Sequence, residues 1–222
     1  MTQVLAIIPA RGGSKGLPGK NVTDLRGRPL IAWSIQAAKS CELIDRVVVS
    51  TEDSAIAAVA QKYGADVPFM RPPELAADDT PILDVVRHAI KELSFQGSVV
   101  LLQPTSPLRT SLDIKNALQI HFTRNDNVVS VTKTKFHPSW ILNIVHDRIV
   151  STNIADRRQI GGERFVPNGA IYISRTEHIE VSRPFFEDAV PYVMPMNRSI
   201  DVDTLFDLFI AKCVLEANLG ND

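Results

Sequence analysis

The chain has 222 residues, with 24 lysines and arginines against 25 aspartates and glutamates, a formal net charge of −1 and a hydrophobic fraction of 45%. That balance excludes a highly charged disordered chain and a general nucleic-acid binder, so an anionic ligand must be met by locally placed charge. The length suits one α/β domain, residues 1–222, with an excursion and a core that needs no disulfide staples. Cys41 and Cys213 stand alone within predicted helices, which points to reduced thiols in a cytoplasmic protein. Met1-Thr2-Gln3 runs into an apolar strand without the features of a leader, and no apolar run approaches the roughly 20 residues of a membrane helix.

Val4 to Pro9 reads as a buried parallel strand, and after a glycine-rich loop Pro29 to Ala38 has helical spacing with Pro29 at its start. The alternation repeats. Arg46 to Ser50 is a strand, Ser54 to Tyr63 a helix, Val67 to Met70 a short strand and Pro81 to Leu93 a helix. Val99 to Leu102 is another buried strand, followed by a helix from about Leu112 to Phe122 and a strand from Val128 to Thr132. Short connections between such units predict a doubly wound, Rossmann-like sheet with helices on both faces. Residues 133–166 interrupt it: Trp140 to Val150 reads as a hairpin turning at His146-Asp147, and Ser151 to Val166 is polar and irregular. Ala170 to Ser174 and Tyr192 to Met196 resume strand character, and Thr204 to Leu219 forms a closing amphipathic helix. The hairpin places apolar residues on both faces and is marginal alone, so it needs a partner surface.

Between the first strand and first helix, Arg11-Gly12-Gly13-Ser14-Lys15-Gly16-Leu17-Pro18-Gly19-Lys20-Asn21 packs four glycines and three cations into eleven residues. Glycines let backbone N–H groups approach phosphate, and Arg11, Lys15 and Lys20 supply the opposing charge. The alternative is a flexible, solvated basic turn, but loops at the carboxyl ends of parallel strands are where open α/β sheets bind ligands. The spacing is neither GxxxxGK[ST] nor GxGxxG, which disfavours an ATPase loop and a nicotinamide dehydrogenase.

The run Ile8 to Asn21 resembles the signature of the CMP-sialic acid synthetases, the cytidylyltransferases of nonulosonic acids. Further blocks follow in family order: Val49-Ser50-Thr51-Glu52-Asp53, Arg71 to Ala76, Leu102 to Arg109, Arg158-Gln159, Pro167 to Tyr172 and Ile200 to Asp203. The resemblance implies a homodimeric enzyme that moves a cytidylyl group from CTP to an acidic α-keto sugar, with residues 133–166 reaching toward the neighbouring subunit. It implies CTP contacts at Arg11, Ser14, Lys15, Lys20, Asn21, Arg71 and Thr80, sugar contacts at Gln103, Gln159 and Asn168, and a catalytic role for Arg158 and Lys20. Nothing in it calls for nucleic acid or membrane.

Several of these residues have plainer readings. Arg71 before Pro72-Pro73 is either a stiffly held ligand arginine or a surface charge, and Thr80 can cap the helix entered at Pro81. Arg109 either meets ligand or holds the loop of Gln103, while His137 lies near the sugar region. In Asp201-Val202-Asp203, an extended backbone turns both carboxylates to one side, which is costly without a cation or strong donors. The alternative is that one of them caps the helix at Thr204. The resemblance assigns the pair to Mg²⁺, which suits hard carboxylate oxygens shared with substrate phosphates, and to catalysis. Leu17-Pro18-Gly19-Lys20 also resembles the eight-carbon Kdo cytidylyltransferases, whereas Ser14-Lys15-Gly16 and Pro167 to Ala170 favour the nine-carbon branch, sialic or legionaminic. A non-catalytic nucleotide-sugar sensor would have no need of Lys20, Asp201 and Asp203. No residue is singled out as a general base.

Overall fold

The computed structural model describes residues 2–134, 142–146, 148–151, 163–180 and 188–217. Six strands form the central sheet: β1 (Val4–Pro9), β4 (Arg46–Ser50), β5 (Ser98–Leu101), β6 (Val128–Lys133), β9 (Phe165–Arg175) and β10 (Val190–Met194). Their order is β10-β6-β9-β5-β1-β4. β1 runs parallel to β4 and β5, β6 parallel to β10, and β9 antiparallel to β5 and β6. Two small antiparallel pairs stand outside it, β2 (Asp24–Leu25) with β3 (Arg28–Pro29) and β7 (Leu142–Val145) with β8 (Arg148–Ser151).

The two-residue period of an extended chain explains how a nearly continuous apolar strand serves two faces. Val4, Ala6 and Ile8 of β1 and Val100 and Leu102 at β5 pack with α1 (Leu30–Lys39), α2 (Ser54–Lys62) and α4 (Ser111–Arg124) through Ile31, Ile35, Ile56, Ile114 and Leu118. Leu5, Ile7, Val99 and Leu101 turn the other way, onto Val86, Ala89 and Ile90 of α3 (Ile82–Leu93) and Ile179 of the short α5 (Thr176–Glu180). A smaller core of Leu25, Leu30, Leu108, Val202 and Ala211 holds α6 (Leu205–Glu216). The chain goes from β1 to β4 on one flank, whereas β5 leads to β6 on the other. The loops after β1 and β5 therefore diverge, and a crevice opens between them at the carboxyl edge.

The doubly wound α/β expectation holds, with three local corrections. The stretch from Val67 to Met70 is not a strand: Asp66 bridges Val48 and then the chain leaves the sheet, because Pro68 has no N–H to donate and Pro72-Pro73 follow. β9 begins at Phe165 rather than Ala170; Gly169 at φ 75° accompanies a register shift against Val129 and Val131, so strand-poor residues pass within the sheet. The closing helix is apolar beyond the face that Leu208, Val214 and Leu215 pack onto the small core. Ala211 is buried in it, but Leu205, Phe206 and Phe209 are 69%, 70% and 59% exposed. The hairpin pairs Val145 with Arg148 as its pattern predicts, while Trp140, Ile141 and Asp147 lie outside the described residues. Among the described residues no helix is long and apolar enough to cross a membrane.

Candidate active site

Leaving β1, the chain enters the basic loop, and the loop is tied down at both ends. Gly12 donates its N–H to Glu52 Oε1 at 2.7 Å, and the buried Asn21 amide donates to Arg11 O at 2.8 Å. Gly19, at φ 65°, turns the chain into a short 3₁₀ segment, Lys20–Val22. Gly16 passes so close to Asp203 that a Cβ there would stand 2.5 Å from its carbonyl oxygen. Lys20 Nζ reaches the Asp203 carboxylate at 2.7 Å, with the lysine side chain 13% and the aspartate 67% exposed. These ties rule out a freely solvated basic turn.

A cleft of about 300 Å³ lies beside this loop, lined by Pro9, Arg11, Lys20, Asn21, Arg71, Leu75, Ala77, Asp78, Thr80, Ile82, Val85 and the Gln103-Pro104-Thr105 segment. Five of the seven expected CTP residues therefore meet: Arg11, Lys20, Asn21, Arg71 and Thr80. Ser14 and Lys15 do not line the cleft. Lys15 instead pairs with Asp78 at 2.5 Å, and Asp78 also takes Arg11 at 2.6 Å, while Arg11 donates to Ala77 O. The hydrogen bond from Lys15, aided by Arg11, holds the Asp78 carboxyl below the usual range.

Arg71 is no surface arginine. It is buried, its N–H donates to Thr51 O, and its guanidinium meets Glu52 Oε2 at 2.6 Å. Thr80 does not cap α3, whose N-cap position is Pro81; the Thr80 hydroxyl donates to Glu74 O instead. Arg109 resolves as a loop support. Its buried guanidinium donates to Ser34 Oγ, Ala170 O and the carbonyl of Gln103, so it holds the Gln103 loop in place. Burial depresses this guanidinium, opposed by the Asp113 carboxylate.

A Cβ on Gly169 would stand 3.2 Å from Gln103 Oε1 and 3.9 Å from Asp201 Oδ2, which puts these three residues together. Asn168 is not among the cleft residues. Its buried Oδ1 accepts from Ser130 Oγ and the Ala170 N–H, and its Nδ2 donates to Ser199 Oγ and Met194 Sδ. That amide braces the irregular part of β9. Arg158, Gln159 and His137 lie outside the described residues.

Asp201 and Asp203 flank fully buried Val202, whose N–H donates to Thr105 O, so the extended alternation read from the sequence is present. Neither caps α6: Thr204 does, in a reciprocal capping box with Asp207. Desolvation pushes the Asp201 carboxyl up, with Asp203 and Asp207 adding to it, while the Thr105 hydroxyl and Lys20 pull it down. Among the described residues no three His, Cys, Asp or Glu side chains form a metal cage. Two hard carboxylates flanking a buried valine, completed by ligand oxygens, fit Mg²⁺.

Glu52 and Asp78 were not singled out from sequence, although both sit in segments whose neighbours were. No periodicity marks a carboxylate that holds a cation in place.

The model of the family described as "Cytidylyltransferase" matches residues 5–181. The chain is 37% identical to the CMP-N,N'-diacetyllegionaminic acid synthase of Legionella pneumophila, over 97% of both chains. It is also 37% identical to the N-acylneuraminate cytidylyltransferase of Escherichia coli, covering 95% of this chain but 51% of that longer protein. Its fold is shared with a CMP:2-keto-3-deoxy-manno-octonic acid synthetase solved with CTP, at a TM-score of 0.76, 18% identity, and coverage of 98% of this chain and 100% of that one. A phosphate-type loop, a cationic cleft at the sheet's switch point and these relatives agree: the chain belongs to the cytidylyltransferase family.

Proposed function

We propose that the protein activates a nine-carbon nonulosonic acid, of the sialic or legionaminic type, with CTP to give the CMP-sugar and pyrophosphate. The observation that supports this reading best is the convergence of Arg11, Lys20, Arg71 and Gln103 on one cleft, with Gln103 and Asp201 both beside Gly169. The triphosphate lies along the basic loop. The anomeric hydroxyl attacks the α-phosphorus in line and gives up its proton to solvent, a new P–O bond forms, the α–β anhydride breaks, and pyrophosphate leaves against Arg11 and Lys20. Asp201 and Asp203 would hold Mg²⁺, which would supply neutralisation of charge on the triphosphate. Lys20, paired with Asp203 at 2.7 Å, serves the leaving group. Arg158 and Gln159 are assigned to catalysis and sugar contact from the family signature.

The protein acts as a cytoplasmic homodimer in which 133–166 is an excursion from a single domain and reaches the neighbouring subunit. Support comes from the two-sided apolar hairpin sequence and from exposed Leu205, Phe206 and Phe209, a patch of the kind that marks an interface. Pyrophosphate release with CTP, Mg²⁺ and a panel of N-acetylneuraminic, legionaminic and eight-carbon keto acids tests the substrate. Turnover of more than one nine-carbon acid is expected; preference for the eight-carbon acid overturns the assignment. A fully active monomer in light scattering overturns the dimer.

A further inference from the structure

We infer that Glu52 is a positioning residue for the nucleotide, a strut that fixes the first turn of the basic loop relative to the guanidinium of Arg71. The inference rests on the cytidylyltransferase reading. Glu52 follows β4, the parallel neighbour of β1, so its side chain stands beside the point where the basic loop leaves the sheet. One carboxylate oxygen accepts the Gly12 N–H at 2.7 Å and the other accepts Arg71 Nη2 at 2.6 Å. Both oxygens are thus committed, one to the loop backbone and one to a cation that lines the cleft. Gly12 is pressed onto the same corner, because a Cβ there would lie 2.4 Å from Asp53 Oδ2.

The burial of Arg71 gives this contact its weight. The side chain is 4% exposed, Glu52 is its ion-pair partner, and its Nε has no hydrogen-bond partner among the described residues. A buried guanidinium with an unused donor is costly, so the countercharge from Glu52 is what lets Arg71 remain buried. Arg71 lines the cleft, so Glu52 sets where that positive charge lies relative to a ligand. It also withdraws the Gly12 N–H from the donors the loop offers to phosphate. Small displacements of such groups carry large penalties when a triphosphate must be aligned for in-line attack.

The test uses the full chain and compares wild type with Glu52→Ala, Glu52→Gln, Arg71→Ala and the double variant Glu52→Ala/Arg71→Ala. Steady-state kinetics with CTP, Mg²⁺ and the preferred keto acid are combined with calorimetric CTP affinity. Glu52→Ala should raise the CTP KM about tenfold and the sugar KM less than about twofold. Glu52→Gln should lie between, because its amide oxygen still accepts from Gly12 while the countercharge to Arg71 is gone. In the double variant the two penalties should be less than multiplicative, since part of the effect of Glu52 runs through Arg71. A CTP KM within about twofold of wild type in Glu52→Gln, or penalties that multiply in the double variant, overturns the inference. If Glu52→Ala does not fold, Glu52→Gln carries the decision. Wild type that binds CTP without turning over any keto acid fails the reading of the reaction and leaves Glu52 decided by calorimetry; wild type that does neither overturns both.

Discussion

The two ends of the central sheet handle polar groups in opposite ways. At the carboxyl end, charge is concentrated and partly open to solvent: Arg11 and Lys15 share Asp78, and Lys20 meets Asp203. At the amino end the polar groups are mostly neutral and paired. Ser98 Oγ meets His121 Nε2 at 2.9 Å, His121 Nδ1 donates to Asp126 O, and Asn127 Oδ1 accepts from Ser174 Oγ and His178. One edge closes strand ends within the fold, and the other retains charge for something outside it. A buried neutral group is satisfied once and stays so, whereas a charge meant for a ligand must be held by contacts that can be exchanged.

Substitutions can break this comparison. The largest effect is expected for Asp203→Ala, followed by Asp201→Ala: turnover falls by at least about a hundredfold with the fold intact, as for loss of a metal and charge anchor. Pyrophosphate release across a Mg²⁺ titration, alongside thermal melting, checks it; wild-type rates in both variants refute the metal assignment. Lys20→Ala and Arg11→Ala should each weaken CTP binding by ~1.5–3 kcal/mol, the range for a charge-assisted contact, with unchanged calorimetric affinity counting against the loop. At the other end, Asn127→Ala takes the acceptor from Ser174 and His178. It should cost ~1–3 kcal/mol of stability in a denaturant melt and leave the CTP KM alone; a shifted KM would mean that the two edges are coupled.

Asp78→Ala sharpens the comparison further. The pairs it breaks are partly solvent-exposed and weak in themselves, but one of the cations they release, Arg11, lines the cleft proposed for CTP and the other, Lys15, is in the same loop. CTP affinity at low salt should rise by about two- to fivefold and the gain should fade as salt is added; a loss of affinity would make Asp78 a supporting group instead.

The smallest effect is in pH. Desolvation pushes His121 down, with Arg175 and His178 adding to this and Asp126 opposing it. The folded chain therefore holds a proton on this ring less readily than the unfolded chain, and stability rises with pH across that interval. The contribution is present above the ordinary histidine value of about 6.5 and is lost as pH falls from there toward the depressed folded value. Melts of wild type and His121→Gln across that range should converge as pH falls, and curves that stay parallel would remove His121 from the account.

Much of this protein is written in local pattern. Apolar runs such as Val4 to Pro9 and Arg46 to Ser50 determine strands because nearly every position is buried on one face or the other. The density of glycine and cation in residues 11–21 marks a phosphate loop, and the spacing of Asp201 and Asp203 puts two carboxylates on one side of an extended segment. These properties depend on neighbours in the chain. The tertiary structure alone decided which charges meet. Glu52 finds Gly12 and Arg71, Asp78 finds Arg11 and Lys15, and Lys20 crosses to Asp203, 183 positions away. It also turned Asn168 inward to brace a bulged strand, set Arg109 behind the Gln103 loop, and left Thr80 without a helix to cap. An ion pair or buried hydrogen bond carries no period along the sequence; it is set by which strand ends the sheet order brings together.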